Sequence, residues 1–240
     1  MFHHHPHPQA DRLVHVARSQ LGYHEGRANG HWDNVEKYAP QVAGLSWAQG
    51  QPWCDVFVAW CFLRAGLEEL LPLVSASVAA STASWRKIDR FSQYPAYGAQ
   101  ALFGLNGDEH TGIVVAYDAD RVTTIEGNSN TDGSAEGWGV VKNTHQRRDP
   151  WVYGYGYPDF AEGIESADPG YPPYGSTPNV HKPYFGGHSP AVPESRGPLV
   201  DKLVVDTGEA LQRAHAGFRR RQLQAALDAL ERIHAHPVIR

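Results

Sequence analysis

Cysteine is scarce, with two in 240 residues, Cys54 and Cys61. Both lie in the stretch PWCDVFVAWC. Their spacing places them on one helical face, two turns or ~10 Å apart. A disulfide needs Cα atoms within about 7 Å, so an intact helix keeps the two thiols unpaired. The paired-cysteine spacing of a zinc site is also missing, and each thiol has to be explained singly. Long apolar runs are absent too. The most apolar stretches, 56–63 and 113–117, are far shorter than the roughly 18–20 residues that span a bilayer, so no membrane span is expected. Basic runs are limited to Arg219-Arg220-Arg221, and a net charge of −5 with a pI near 6.3 argues against a nucleic-acid partner. No secretory apolar segment opens the chain, because Met1-Phe2 is followed by His3, His4, His5, Pro6 and His7. Residues 1–10 read as a flexible histidine-rich tail, native or a cloning remnant, with no specific metal site expected.

What is present suffices for a packed core, with 41% hydrophobic and 20% charged residues. An amphipathic helix is expected over 11–21, where Leu13, Val14, Ala17 and Leu21 recur at helical spacing and Gly22 follows. A loop over 26–30 and a short helical piece over 32–38, stopped by Pro40, come next. Pro52 and Gly66 bracket a helix over 53–65 that is apolar nearly all round and therefore central. A Ser/Ala-rich stretch over 75–84 then leads to strands at 99–103, 112–117, 121–126, 138–143 and 151–155, separated by turn residues. Helices first and an antiparallel meander second give an α+β fold. Residues 161–200 are dense in Pro, Gly, Tyr and Ser and read as a linker. The segment 201–240 reads as a C-terminal amphipathic helix, capped by Asp206 and Glu209 and striped by Leu223, Ala226, Leu227, Leu230 and Ile233.

Cys54 falls in the first turn of its helix, where unpaired N–H groups and the positive dipole end favour a thiolate and offer donors to an oxyanion. Cys61, deeper in the same helix, has neither advantage and reads as a small buried hydrophobe. A nucleophilic cysteine wants a base, and the base an orienting group. His110 opens a strand that returns through Asp118-Ala119-Asp120. A three-residue turn sets His110 opposite Asn128 with Glu126 diagonal on the same face; a two-residue turn sets it opposite Ser129. In either register His110 lies within reach of a carboxylate and an amide that fix its tautomer.

In order and spacing, PWCDVFVAWCFLRAG, EHTGIVVAYD and TIEGNSN resemble the CHAP family of cysteine, histidine-dependent amidohydrolases and peptidases. VARSQLGYHEG and WVYGYGYPDF resemble its flanks, so the likeness spans 13–160. The resemblance implies a papain-like (NlpC-type) cysteine hydrolase fold, N-terminal helices packed on an antiparallel sheet, with a catalytic domain over 11–160. It also implies Cys54 as nucleophile, His110 as general base, Glu126 as the residue orienting it and Asn128 as a second polar partner. Gln51 or Gln49 would add an oxyanion donor beside the Cys54 N–H. Trp47, Trp53, Trp85 and Tyr97 would line a substrate groove, or else pack in the core. Two departures stand out. Family members carry a Gly-Asp pair in the strand before the histidine, where this chain has Gly98-Ala99-Gln100. Residues 44–51 hold no Asp or Glu, so the calcium loop of some members is not expected; no cofactor is.

The resemblance implies a peptidoglycan hydrolase, an N-acetylmuramoyl-L-alanine amidase or a stem or cross-bridge endopeptidase. The missing leader fits an endolysin held in the host cytoplasm until release to the wall, or a virion-associated lysin. The rivals are a retired, non-catalytic wall-binding or virion module, a thiol amidase or protease on another substrate, and a metal-dependent reaction leaning on the histidine cluster. The C-terminal helix would target, self-associate or pack back on the domain.

Overall fold

A computed structural model describes residues 7–131 and 137–171. Helix α1 runs Pro8–Arg18 and buries Ala10, Leu13, Val14 and Ala17, the stripe that its periodicity requires. Its first turn is capped from far along the chain: Glu162 Oε1 accepts from the Gln9 and Ala10 N–H groups at 2.7 and 3.0 Å. A carboxylate there satisfies orphan donors and meets the positive helix end. Strands β1 (Arg27–Ala28) and β2 (His31–Trp32) form a small hairpin. Asn29 and Gly30 turn it with φ of 53° and 84°, values that suit Asn-Gly. Helix α2 (Cys54–Arg64) is buried from Cys54 through Phe62, as expected for an all-apolar helix.

Helix α3 (Val78–Lys87) is capped by Ser77, whose hydroxyl accepts from the Ala80 N–H. Strands β3 (Phe91–Ser92), β4 (Gln100–Phe103), β5 (His110–Tyr117), β6 (Arg121–Ser129), β7 (Gly139–Gln146) and β8 (Val152–Gly156) follow. They build one antiparallel sheet in the order β3-β8-β4-β5-β6-β7. Helix α2 lies against β5 and β6, and α1 packs on α2 and β5. The approach of α2 is close because Gly127 is bare. A Cβ there would sit 2.5 Å from the Phe57 Cβ and 2.7 Å from the Trp53 ring.

The β5–β6 hairpin contains both registers open to the sequence. Tyr117 pairs with Val122 near the turn, whereas Ile113 pairs with Ile125 toward the site, and a bulge between Val114 and Ala116 absorbs the difference. The α+β expectation of helices packed on an antiparallel sheet agrees with this arrangement, and each of the five expected strands has its counterpart.

Several boundaries are corrected. No α-helix covers 32–38; the β1–β2 hairpin ends there, and Glu36 caps a single 3-10 turn, Ala39–Gln41. The Ser/Ala-rich stretch is largely α3, whose small polar residues are buried because each has a partner. Ser81 donates to Asp55 at 2.8 Å, and Thr82 donates to the Gly107 carbonyl. The tail over 1–10 is ordered from His7, which is buried and pairs with Glu165 at 3.2 Å. The first residues of the expected linker, 161–171, are instead packed on the domain. Ile164 and Asp168 are buried, and the Tyr97 and Ala167 N–H groups bond to the Glu165 and Pro95 carbonyls. The rest of the stretch read as a linker and the expected C-terminal helix fall outside the described residues, as do residues 1–6. Among the described residues, no helix is long and apolar enough to cross a membrane.

The Gly127 contact can be tested. Gly127→Ala should force α2 off the sheet and lower unfolding free energy by about 1–3 kcal/mol in urea titrations followed by tryptophan fluorescence. An unchanged midpoint would mean that the helix does not depend on this close approach.

Candidate active site

Cys54 is the first residue of α2 and is 5% exposed. At that position its N–H has no intrahelical carbonyl to meet. The residue before it is fixed from the sheet: the Trp53 N–H donates to Asn128 Oδ1 at 3.2 Å, and Asn128 Nδ2 donates to Asn34 Oδ1 and the Gly137 carbonyl, each at 3.0 Å. Asn128 therefore ties the end of β6 to the start of α2, with a left-handed φ of 50°. Trp53 anchors the other side through its indole N–H, which donates to buried Glu25.

On the far side of Cys54, Asp55 is buried and accepts from Ser81 and from Gln100 Nε2 at 2.9 Å. Burial pushes its carboxyl up to about 6, against the pull of hydrogen bonds from Ser81, Gln100 and Ser75. Gln100 also donates to Thr111 and accepts from the Trp85 indole at 2.7 Å. The residue standing where the family has a Gly-Asp pair is thus a buried cross-link between β4, β5, α2 and α3.

His110 opens β5, and both Cys54 and Glu126 bear on its ring. Its Nε2 lies 3.1 Å from Glu126 Oε2. Glu126 is 1% exposed. Burial pushes its carboxyl up, but hydrogen bonds from His110 and His145 and their charges hold it well below the usual range. An ionised carboxylate only accepts, so the proton sits on His110 Nε2 and Nδ1 is the nitrogen left for the thiol. For His110 itself burial acts downward; the hydrogen bonds and charges of Cys54 and Glu126 outweigh it and lift the imidazole to about 10. Glu126 reaches His110 by lying over Gly112, where a Cβ would come within 2.6 Å of the Glu126 Cγ.

The carboxylate has five donors. Oε2 accepts from His110, Ser129 at 2.9 Å and Asn143 at 2.8 Å; Oε1 accepts from His145 at 2.7 Å and the Thr124 hydroxyl. Phe103 and Trp151 stack beside the His110 ring at 5.9 and 6.1 Å. Sequence reasoning missed His145 because it ended that strand at 143, and missed Asn143 because the strand's pairing with β6 was not traced. The signal was there: Val141, Asn143 and His145 alternate, and they pair with Glu126, Thr124 and Val122.

Of the remaining expected site residues, Gln49 is spent elsewhere. Its amide donates to the Glu36 carbonyl and carboxylate and accepts from the Glu36 N–H, leaving no oxyanion role. The Gln51 side chain makes no hydrogen bond among the described residues and is half-buried three residues before Cys54. Trp53 and Trp85 are fully buried and line no groove, because their indole N–H groups are satisfied inside by Glu25 and Gln100. Tyr97 lies in the turn before β4, bonded to Asp11; its neighbour Gly98 bonds to Val114, four residues along β5 from His110, a separation of ~13 Å. Trp47 is 43% exposed on the segment leading to Cys54.

The Glu126 cluster has a stability signature with a defined sign. A depressed carboxyl stabilises the fold above its usual value near 4.5 and loses that contribution as acid titrates the folded group. A raised imidazole stabilises fully below 6.5, and its contribution is lost as pH rises through about 10. Glu126→Gln turns one acceptor into a donor among donors. It should lower unfolding free energy at neutral pH by roughly 3 kcal/mol and flatten the slope between pH 6.5 and 10. Urea titrations across that range would refute the cluster's role if the variant kept wild-type stability and slope.

Residues 46–128 match the model of the CHAP domain, a segment that includes Cys54, His110, Glu126 and Asn128 and stops before β7. No curated protein and no solved structure matches the chain. A helix N-terminus, a buried carboxylate and an imidazole all fall inside this segment, which is similar to the CHAP domain, a family of peptidoglycan hydrolases.

Proposed function

We propose that the chain cleaves an amide bond of peptidoglycan by cysteine nucleophilic catalysis, with Cys54 as nucleophile and His110 as general base. The observation that carries this reading is the His110 imidazole, bonded to buried Glu126 at 3.1 Å and coupled electrostatically to Cys54, at the first turn of α2. His110 holds the thiol proton on Nδ1 as an imidazolium–thiolate ion pair while Glu126 holds the Nε2–H, and the Cys54 sulfur attacks the amide carbonyl. The oxyanion rests on the Cys54 N–H and the Gln51 side-chain amide. The imidazolium then protonates the leaving amine, and water, deprotonated by His110, releases the acyl group and regenerates the thiol. Asn128 is a positioning residue that holds the Trp53 backbone and so the nucleophile. The reaction is that of a muramoyl-alanine amidase or a wall endopeptidase, in an endolysin or a virion-associated lysin.

The test is turbidity loss and end-group analysis on purified peptidoglycan. Wild type should clear walls and Cys54→Ala should not; new alanine amino termini would mark an amidase, other termini an endopeptidase. Inert wild type on walls of several chemotypes would overturn the assignment. The kcat/KM profile should fall on the alkaline side near pH 10, where the imidazolium loses its proton. Gln51→Ala should lower kcat by about 10²–10³ with stability unchanged, and Gln49→Ala should instead lower stability by loosening Glu36. Equal kcat for wild type and Gln51→Ala would remove Gln51 from the oxyanion site.

A further inference from the structure

Glu126 holds a second imidazole for which the reaction above has no use. His145 projects from β7 at the edge of the sheet, and its Nε2 lies 2.7 Å from Glu126 Oε1, the oxygen that His110 does not use. Because Glu126 is ionised and buried, this nitrogen carries a proton and donates it. The ring is wedged against Phe103 at 4.7 Å and Trp151 at 5.5 Å. These two aromatics also stack on the His110 ring.

A carboxylate pivots about the bond to its last methylene, so the place of one oxygen depends on what holds the other. Oε2 meets three donors, His110, Ser129 and Asn143, but Ser129 and Asn143 also bond to each other at 3.1 Å and move as a pair. Oε1 meets two, Thr124 and His145. The Thr124 hydroxyl can redirect its proton by turning about its C–O bond. The His145 ring is the rigid donor of the two, locked by its aromatic neighbours. Among the described residues, the titratable groups around it are Glu126 on β6 and His110 on β5, with Cys54 on α2 beyond His110.

We propose that His145 is a positioning residue that pins Glu126 Oε1, so that Oε2 stays on the His110 Nε2–H and keeps the imidazolium beside Cys54. The inference rests on the Cys54–His110 reading above. What His145 supplies is a rigid N–H donor at the Nε2 position, and a glutamine amide can offer the same donor there. Phenylalanine keeps the ring between Phe103 and Trp151 but has no donor.

The experiment follows alkylation of Cys54 by iodoacetamide as a function of pH, which needs no wall substrate. Cys61 is fully buried, its thiol pushed well up by burial, and Cys54→Ala measures its background. Wild type should react over a broad plateau that ends where His110 deprotonates. His145→Phe should move that alkaline inflection down by about one pH unit and lower kcat on walls about tenfold at unchanged KM, while His145→Gln should restore both. A His145→Phe profile that coincides with wild type, or moves upward, overturns the proposal, as does a His145→Gln variant no better than His145→Phe. His110→Ala separates the two readings: if it leaves the alkylation profile unchanged, the Cys54–His110 pairing fails, and His145 with it. If it abolishes the plateau while His145→Phe does not move it, only the His145 inference falls.

Discussion

A single negative charge, sealed inside the sheet, is what the neighbouring structure is built to hold. Glu126 is 1% exposed, and an unpaired carboxylate at that depth would cost several kcal/mol or take up a proton. It stays ionised because five donors converge on it from three strands. The consequence travels outward. An ionised Glu126 fixes which nitrogen of His110 carries the proton, that choice leaves the other nitrogen for Cys54, and a lifted His110 is the result.

Two bare positions make this convergence possible. Gly112 leaves the space over which Glu126 leans toward His110, and Gly127 lets α2 settle on β6 so that its first turn arrives beside the imidazole. A methyl group at either would separate partners that have to touch. Asn128 then fastens the two elements with one side chain, accepting from the helix start while donating to Asn34 in the loop before the helix and to the Gly137 carbonyl just ahead of β7. Cys54, the one part of the site on a helix, is thereby referenced to the same strand that carries Glu126.

Much of this was legible in the residues. Pro52, Gly66 and an all-apolar stretch between them define α2, and alternation defines β5 and β6, so His110, Glu126 and Asn128 could be brought near one another by counting, whereas the pairing of Cys54 with them came from the family resemblance. The burial of Trp53 and Trp85 was not legible, because a tryptophan has the same composition whether its indole N–H meets water or a buried partner such as Glu25 or Gln100. Gln49 and Gln51 look alike in sequence; only the loop path shows that Glu36 consumes one of them. His145 escaped through two residues of misjudged strand length, since sequence patterns mark a strand's middle better than its end. Helix α3 hid because Ser81 and Thr82 take half of its buried face, between Val78 and Trp85, and their partners lie far along the chain.

The bulge at Val114–Ala116 behaves like an expansion joint in the β5–β6 hairpin. On its near side the pairing is locked by Gly112 and Glu126; on its far side only the turn at 118–121 sets the register. The turn tip is roughly 26 Å from His110 along the strand, and its residues are largely exposed. Length changes or grafted segments at that tip would be taken up by the joint before reaching the imidazole. The hairpin can therefore diversify, or accept a fused targeting peptide, without retuning the chemistry at its base.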